Sequence, residues 1–280
     1  MGYAPMKLVF WNINKQVDIP PVVALIDKVC PDLLFLAECT DEVIEGLQEQ
    51  NNHFVNSPPF VNPKVKCFNV SRRISCDCIK EAGDRLTFYR VKSESLKCVI
   101  GALHLISKNQ SDEAFQLAES MQHIQSINQM ESENGQHTIL VGDFNMNPFD
   151  AGMVVPHAFN SVCSPEIAGK LTRTVQKAKY GYFFNPSWKI FAGDGSGVYG
   201  SYYFSSPGGN RSFHWNNFDQ ALIRPQLLTE YDCDFQLLHP VVGFDITKAN
   251  KYSDHYPFML ELRRKNDGKE SDQFVEYRTS

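Results

Sequence analysis

Residues 139–148, ILVGDFNMNP, set three aliphatic side chains directly against an acid and two amides, with one glycine between them. Ile139, Leu140 and Val141 read as a buried strand. Gly142 would let the backbone turn close beneath a substrate, and Asp143 and Asn145 would emerge where the strand ends. Two apart in an extended segment, those two side chains point to the same side. Burying polar groups is costly unless something compensates, so the junction points to a cleft at the strand's carboxyl end.

The same design recurs outward from that stretch. Residues 6–14, MKLVFWNIN, predict a central strand with Asn12 near its carboxyl end. Pro20 and Pro21 suit the first turn of a helix whose Val22, Leu25, Ile26 and Val29 keep the i, i+3, i+4, i+7 spacing. PDLLFLAE, 31–38, predicts a second buried strand ending on Glu38, with a short helix after Thr40 carried by Val43, Ile44 and Leu47. Residues 51–78, rich in Asn and Pro, read as irregular. RLTFYRV (85–91) and KCVIGALHL (97–105) then predict paired strands. Ser111 is the expected N-cap of a helix with Asp112 and Glu113 in its first turn and an apolar face of Leu117, Met121, Ile124 and Ile127. Beyond Phe149 periodicity fades into loops dense in glycine and aromatics, until FDQALIRP (218–225) and YPFMLELR (256–263) predict further strands. Residues 266–280, charged and short of aliphatics, predict a flexible tail.

With 280 residues, 42% hydrophobic and 21% charged, the chain can bury a large core. No repeat or linker divides it, which favours one domain over residues 1–265 and a monomer. No apolar run reaches the ~20 residues a membrane span needs. The N-terminus lacks the pattern of a leader peptide, and Met6 stands where a myristoylation motif wants Ser or Thr. The expectation is a soluble, cytoplasmic protein, and eight dispersed cysteines suit reduced thiols there. Cys76 and Cys78 are too close for the usual zinc pairs. A net charge of −5 and a pI near 5.9 exclude a strong global attraction for polyanions. A local basic face remains open at Arg72 and Arg73, at residues 170–179 (KLTRTVQKAK) or at 263–265; each also reads as solvated surface.

Several strands therefore close on a polar group: Asn12, Glu38, His104, Asp143 with Asn145, Asp219, and Asp254 with His255. Singly each has an ordinary structural reading, but together they imply a shared cleft. The motifs WNIN, LAE, ALHL, GDFNMNP, FDQALI and SDHYP around these residues resemble, in order, those of the endonuclease/exonuclease/phosphatase superfamily, which includes deoxyribonuclease I, apurinic endonucleases, neutral sphingomyelinases and inositol polyphosphate 5-phosphatases. The resemblance spans Asn12 to His255, nearly the whole chain, and GDFN with a later SDH is its most specific pair.

That resemblance implies an α/β fold, a four-layered α/β sandwich of two mixed β-sheets packed face to face with flanking helices. It implies metal-dependent attack of water on a phosphoester. By analogy Asp143 is the base, Asn145 holds the water or a phosphoryl oxygen, and Glu38, Asn12 and Asp254 hold Mg2+, with Mn2+ as an alternative. His255, oriented by Asp219, and His104 flank the phosphate. Hard oxygen ligands suit Mg2+, and a diester's negative charge calls for cationic and donor groups around it. His104, where apurinic endonucleases have Tyr, moves the chain toward the other branches. The acid that orients the matching histidine in deoxyribonuclease I has no secure counterpart. Arg85 near that position and Trp215, with Asn12, are the candidate substrate contacts. The loop aromatics Phe183, Phe184, Trp188, Tyr199, Tyr202, Tyr203 and Trp215 would either stack on bases or fill a small core. The expected partner is nucleic acid or another phosphoester, with hydrolysis of a phosphodiester as the expected reaction. A phosphomonoesterase or phospholipase C-type enzyme on an inositol phosphate or sphingomyelin-like substrate is the alternative, and an inactive binding scaffold a third reading.

Overall fold

The computed structural model describes residues 3–15, 18–49, 64–108, 111–205, 213–248 and 252–265. The expected tail at 266–280 and residues 51–63 of the Asn- and Pro-rich stretch lie outside these residues.

The chain runs β1 (Met6–Asn12), α1 (Pro20–Val29), β2 (Leu33–Ala37), α2 (Asp41–Gln48), β3 (Val65–Asn69), β4 (Ser75–Ala82), β5 (Leu86–Lys92), β6 (Lys97–His104), α3 (Glu113–Asn134) and β7 (Thr138–Asp143). Shorter elements follow: α4 (Ala151–Val154), β8 (Ser161–Val162), α5 (Pro165–Ala168), β9 (Thr172–Val175), β10 (Ala178–Gly181), β11 (Phe183–Phe184), β12 (Tyr202–Tyr203) and β13 (Trp215–Asn216). The last are β14 (Asp219–Ile223), α6 (Pro225–Leu228), β15 (Tyr231–Leu237), α7 (His239–Val242) and β16 (Phe258–Arg264).

Two mixed sheets carry the fold, one in the order β15-β16-β1-β2-β3 and the other β4-β5-β6-β7-β14-β11-β8. Strand alternation explains how they stack. Leu8 and Phe10 of β1, Ile139 and Val141 of β7 and Ala221 and Ile223 of β14 meet in the core between the sheets. Val9 and Trp11 face out to α1 and α2. Leu140 and Leu222 face out to Ile124, Ile127 and Met130 of α3. The layers are therefore helix, sheet, sheet, helix, as the resemblance implies.

α1 buries Val22, Leu25, Ile26 and Val29, the spacing read from the sequence. α3 departs from its expected form. Asp112, not Ser111, is the N-cap, its carboxylate accepting from Phe115 N at 2.8 Å. Leu117 and Met121 are only half-buried, while Gln116, Ser120, His123 and Glu131 share the buried face. These polar groups have partners: Gln116 Nε2 donates to Ile106 O and Asn145 O at 3.0 Å each, and Glu131 receives Arg224 at 2.8 and 3.0 Å. The helix is thus a bracket for loops as well as a lid on the sheet.

The region read as irregular holds two strands in its later part, β3 and β4. β3 supplies Val65 and Cys67 to the inter-sheet core, but its short run interrupted by polar residues shows too few alternations to stand out. No helix among the described residues is long and apolar enough to cross a membrane. All eight cysteines are free thiols.

Candidate active site

The strands' register brings the polar ends together. His104 of β6 pairs with Asp143 of β7, and Asp143 pairs with Asp219 of β14, so three sequence-predicted residues lie abreast on one sheet edge. From the other sheet, Asn12 closes β1 beside Ala37 of β2, and Glu38 follows directly. Asp254 and His255 arrive on the segment before β16. Trp11 Nε1 donates to His255 O at 3.0 Å, and Ser253 Oγ donates to Asn12 O at 2.7 Å, which stitches that segment to β1. All line one open cleft of about 660 Å3, except Asp219, which sits buried behind His255.

Asp143 is the hub. Its Oδ1 accepts from Asn145 N at 2.8 Å and its Oδ2 from Asn12 Nδ2 at 3.1 Å. His104 Nε2 stands 3.7 Å from the same Oδ2 and 3.9 Å from Glu38 Oε1. Burial pushes the Asp143 carboxyl above the usual range and Asp219 adds to the rise, while His255, His104 and the Asn145 amide oppose it. A carboxylate raised this way holds a proton more readily, which suits a base.

Asp219 Oδ2 meets His255 Nδ1 at 2.7 Å. Burial alone would lower the His255 pKa, but the charge and hydrogen bond of Asp219, with Asp143 and Asp254 behind them, push it up to about 10. The imidazole is therefore a cation at neutral pH, with Nε2 left 3.9 Å from Asp254 Oδ1. Asp219 is itself set by Ser201 Oγ, which accepts its backbone N–H at 3.0 Å.

Two residues reach the cleft through left-handed backbone. Glu38 has φ 51 and Asn145 φ 52. Such a conformation in a Glu is uncommon and costs on the order of 1–3 kcal/mol. Asn145 accordingly does not share Asp143's side by strand alternation. It turns after the strand has ended and is held by its Nδ2 on Leu105 O at 2.9 Å and by Gln116 on its own carbonyl. Gly142 also differs from expectation. It lies inside β7, where a Cβ would come within 2.0 Å of Leu103 O, so its role is the close approach of β6 and β7.

Arg85 lies outside the main cleft. It donates from Nη1 to His104 O at 3.2 Å and faces Glu119 at 3.4 Å, in an adjoining hollow. Trp215 packs against Tyr203 and Tyr256 behind the cleft wall. Of the loop aromatics only Tyr202 lines the cleft, its ring 4.8 Å from that of His255. Phe204, Phe213 and Phe218 complete that wall; the sequence placed the first two in loops and Phe218 at the start of a strand, and gave none of them to the cleft, because they share no period. An amide network was also missed. Asn147 Nδ2 donates to Asn216 Oδ1 at 2.9 Å and Asn217 N to Asn147 Oδ1 at 2.9 Å, tying the loop after β7 to the one before β14. The amide density of NMN and NN was its only signal.

Glu38 and Asp254 put carboxylate oxygens on the cleft, their side chains 27% and 45% exposed, while Asn12 beside them points Nδ2 at Glu38 and Asp143 and gives its Oδ1 to the Asn14 N–H at 3.0 Å. Their hard donors fit a divalent cation such as Mg2+. Asp143, Asp219 and His255 also cluster closely enough to hold a metal. A protonated histidine already bound to Asp219 offers no lone pair there, so the open donor set is the better fit.

A sequence profile of the Endonuclease/Exonuclease/phosphatase family matches residues 9–255. The chain belongs to that family. Its members are metal-dependent phosphoester hydrolases, and this protein is an enzyme of that class. No curated protein matches the chain in sequence. Among solved structures it is similar to TDP2 from D. rerio complexed with single strand DNA product, with TM-score 0.55, 14% identity, and 93% of this chain and 100% of that one covered. An endonuclease/exonuclease/phosphatase family protein from Bacteroides thetaiotaomicron gives TM-score 0.57 and 12% identity over 94% and 96% of the two chains. The human Nocturnin catalytic domain with bound sulfate gives 0.53 and 13% over 95% and 97%. At these identities the likeness is one of fold.

Proposed function

We propose that this protein is a Mg2+-dependent nuclease that hydrolyses phosphodiester bonds of DNA or RNA. The carrying observation is a buried Asp143 carboxylate between His104 and the Asp219–His255 pair, at the floor of a cleft walled by Tyr202, Phe204, Phe213 and Phe218. Asp143 takes the proton of the attacking water, and Asn145 orients that water or a phosphoryl oxygen. The His255 cation, kept charged by Asp219, faces the charge that grows on the phosphoryl oxygens, where a fixed donor in a dry site is worth most. His104 supplies a donor from the opposite side. Glu38 and Asp254, with the Asn12 amide turned to present its oxygen, would hold Mg2+, or Mn2+, which would lend Lewis acidity toward the phosphate. The aromatic wall suits stacking on bases, and the similarity to TDP2 seen with a DNA product points the same way. The free thiols suit a cytoplasmic setting.

A panel of single-stranded DNA, duplex DNA, RNA, inositol phosphates and sphingomyelin, each with Mg2+ and with EDTA, tests this reading. Cleavage of nucleic acid that EDTA abolishes is expected, and hydrolysis confined to inositol phosphates or sphingomyelin would replace nuclease with the phosphatase or phospholipase C-type alternative. Asp143→Ala should lose roughly 10²–10⁴-fold in rate with its folded circular dichroism intact; near-normal turnover would remove Asp143 from the chemistry.

A further inference from the structure

Beside the catalytic cleft lies a second hollow of about 440 Å3, which shares Glu38, His104 and Ser107 with it. Its described lining brings Lys15, Lys64, Lys66 and Arg85 together with Glu38, while Asp84 and Glu119 reach Lys64 and Arg85 from outside that lining. In a chain of net charge −5, cations outnumber carboxylates among the described residues that line it. It is also not where the sequence offered a basic face. Arg73 is paired with Asp32 at 2.7 Å, residues 170–179 run through the β9–β10 hairpin, and Lys265 faces Asp232 at 3.8 Å, none of them lining the cleft.

The cations arrive from three separate places: the turn after β1, the start of β3, and the turn entering β5. Arg85 is committed to His104 O and Glu119, so it braces the shared wall. Lys64 is about half exposed, with Asp84 3.6 Å away, and Lys66 is half-buried on β3, opposite Leu36. The aromatic wall and this basic hollow thus lie on opposite sides of the Glu38 and His104 floor. A strand whose scissile phosphate rests at His104 would lay bases against the aromatics on one side and carry its next phosphate over the lysines on the other.

Building on the phosphodiesterase reading above, we propose that the Lys15, Lys64 and Lys66 hollow is a second phosphate-binding subsite, which makes the enzyme select single strands longer than one diester linkage. Small diesters occupy only the floor and gain nothing from it.

The test pairs two substrates, bis(p-nitrophenyl) phosphate and a fluorescein-labelled hexathymidylate, in wild type and in the Lys64→Ala/Lys66→Ala double variant. Hydrolysis of both is followed with Mg2+, and hexamer binding by anisotropy in EDTA. The variant should bind the hexamer about tenfold more weakly at low salt, and its log Kd against log salt should flatten by about 1.4, the share of two single-strand phosphate contacts. Its loss in kcat/KM on the hexamer should exceed its loss on the small diester at least fivefold. Equal losses on both substrates, or an unchanged salt slope, would overturn the subsite while leaving the nuclease reading intact. A wild type that hydrolyses the small diester but neither binds nor cuts the hexamer or the matching hexauridylate would overturn both.

Discussion

Asp219 and His255 are buried opposite charges joined at 2.7 Å, and that pairing decides which protonation state the cleft offers. Because the histidine's pKa rises from 6.5 to about 10, it is raised above its unfolded value. Its contribution to stability is then complete below pH 6.5 and fades as pH climbs toward 10. Asp219→Asn removes the anion and should abolish that fading. Melting temperatures measured in EDTA from pH 6 to 10 should fall for wild type and stay flatter for the variant over the same window. The same substitution should lower kcat roughly 10²–10⁴-fold, as for a histidine that loses its orienting acid. Parallel melting profiles would mean that His255 is not held charged by this partner. Asp143 is tuned in the same direction by burial first and Asp219 second. One buried acid therefore serves two neighbours, keeping the histidine charged and the proposed base, Asp143, proton-hungry.

At the scale of elements, the site depends on how closely β6 and β7 approach. Gly142 is the residue that permits it, since an added Cβ would strike the backbone of Leu103 at 2.0 Å. Gly142→Ala should destabilise the fold by about 1–3 kcal/mol, the usual cost of overpacking, and should disturb the His104–Asp143 register. Urea denaturation would read the first effect and turnover the second; a variant with wild-type midpoint would show that the strands can part freely. Strands with long apolar runs were legible before the fold was known: β1, β2, β5, β6, β7, β14 and β16 all lie where periodicity placed them. β3, β4 and β15 were not, because β3 is brief and broken by polar residues, and β4 and β15 leave most of their side chains half-buried or exposed. A solvated strand leaves little hydrophobic pattern. The polar strand ends were legible because each interrupts an apolar run. Phe204, Phe213 and Phe218, and the Asn147 to Asn217 network, were not, since loop side chains converge through tertiary packing that no local spacing records.

For the whole molecule, the decisive feature is that neither sheet owns the site. Asn12, Glu38, Asp254 and His255 come from the sheet built around β1, and His104, Asp143 and Asp219 from the one built around β7. The inter-sheet core of Phe10, Phe35, Phe258, Ile139 and Val141 holds the two edges at a fixed distance, so the cleft exists only while the sheets are packed. Without a divalent cation, Glu38 and Asp254 bring two carboxylates to that shared edge, close to the raised carboxylate of Asp143, with the His255 imidazole 3.9 Å from Asp254 as the nearby countercharge. A divalent ion that binds the packed state and not the unfolded chain must stabilise it, by an amount that grows with concentration over Kd and reaches about 2.7 kcal/mol at a hundredfold excess. Mg2+ titrated into EDTA-treated protein should therefore raise the melting temperature in a saturable way. Glu38→Gln keeps the shape but removes the principal charge, so it should melt at or above the wild-type temperature in EDTA and gain little from Mg2+. Differential scanning calorimetry of both proteins across a Mg2+ series separates the possibilities: equal gains in the two would place the ion elsewhere, and no gain in wild type would deny it a place at the seam.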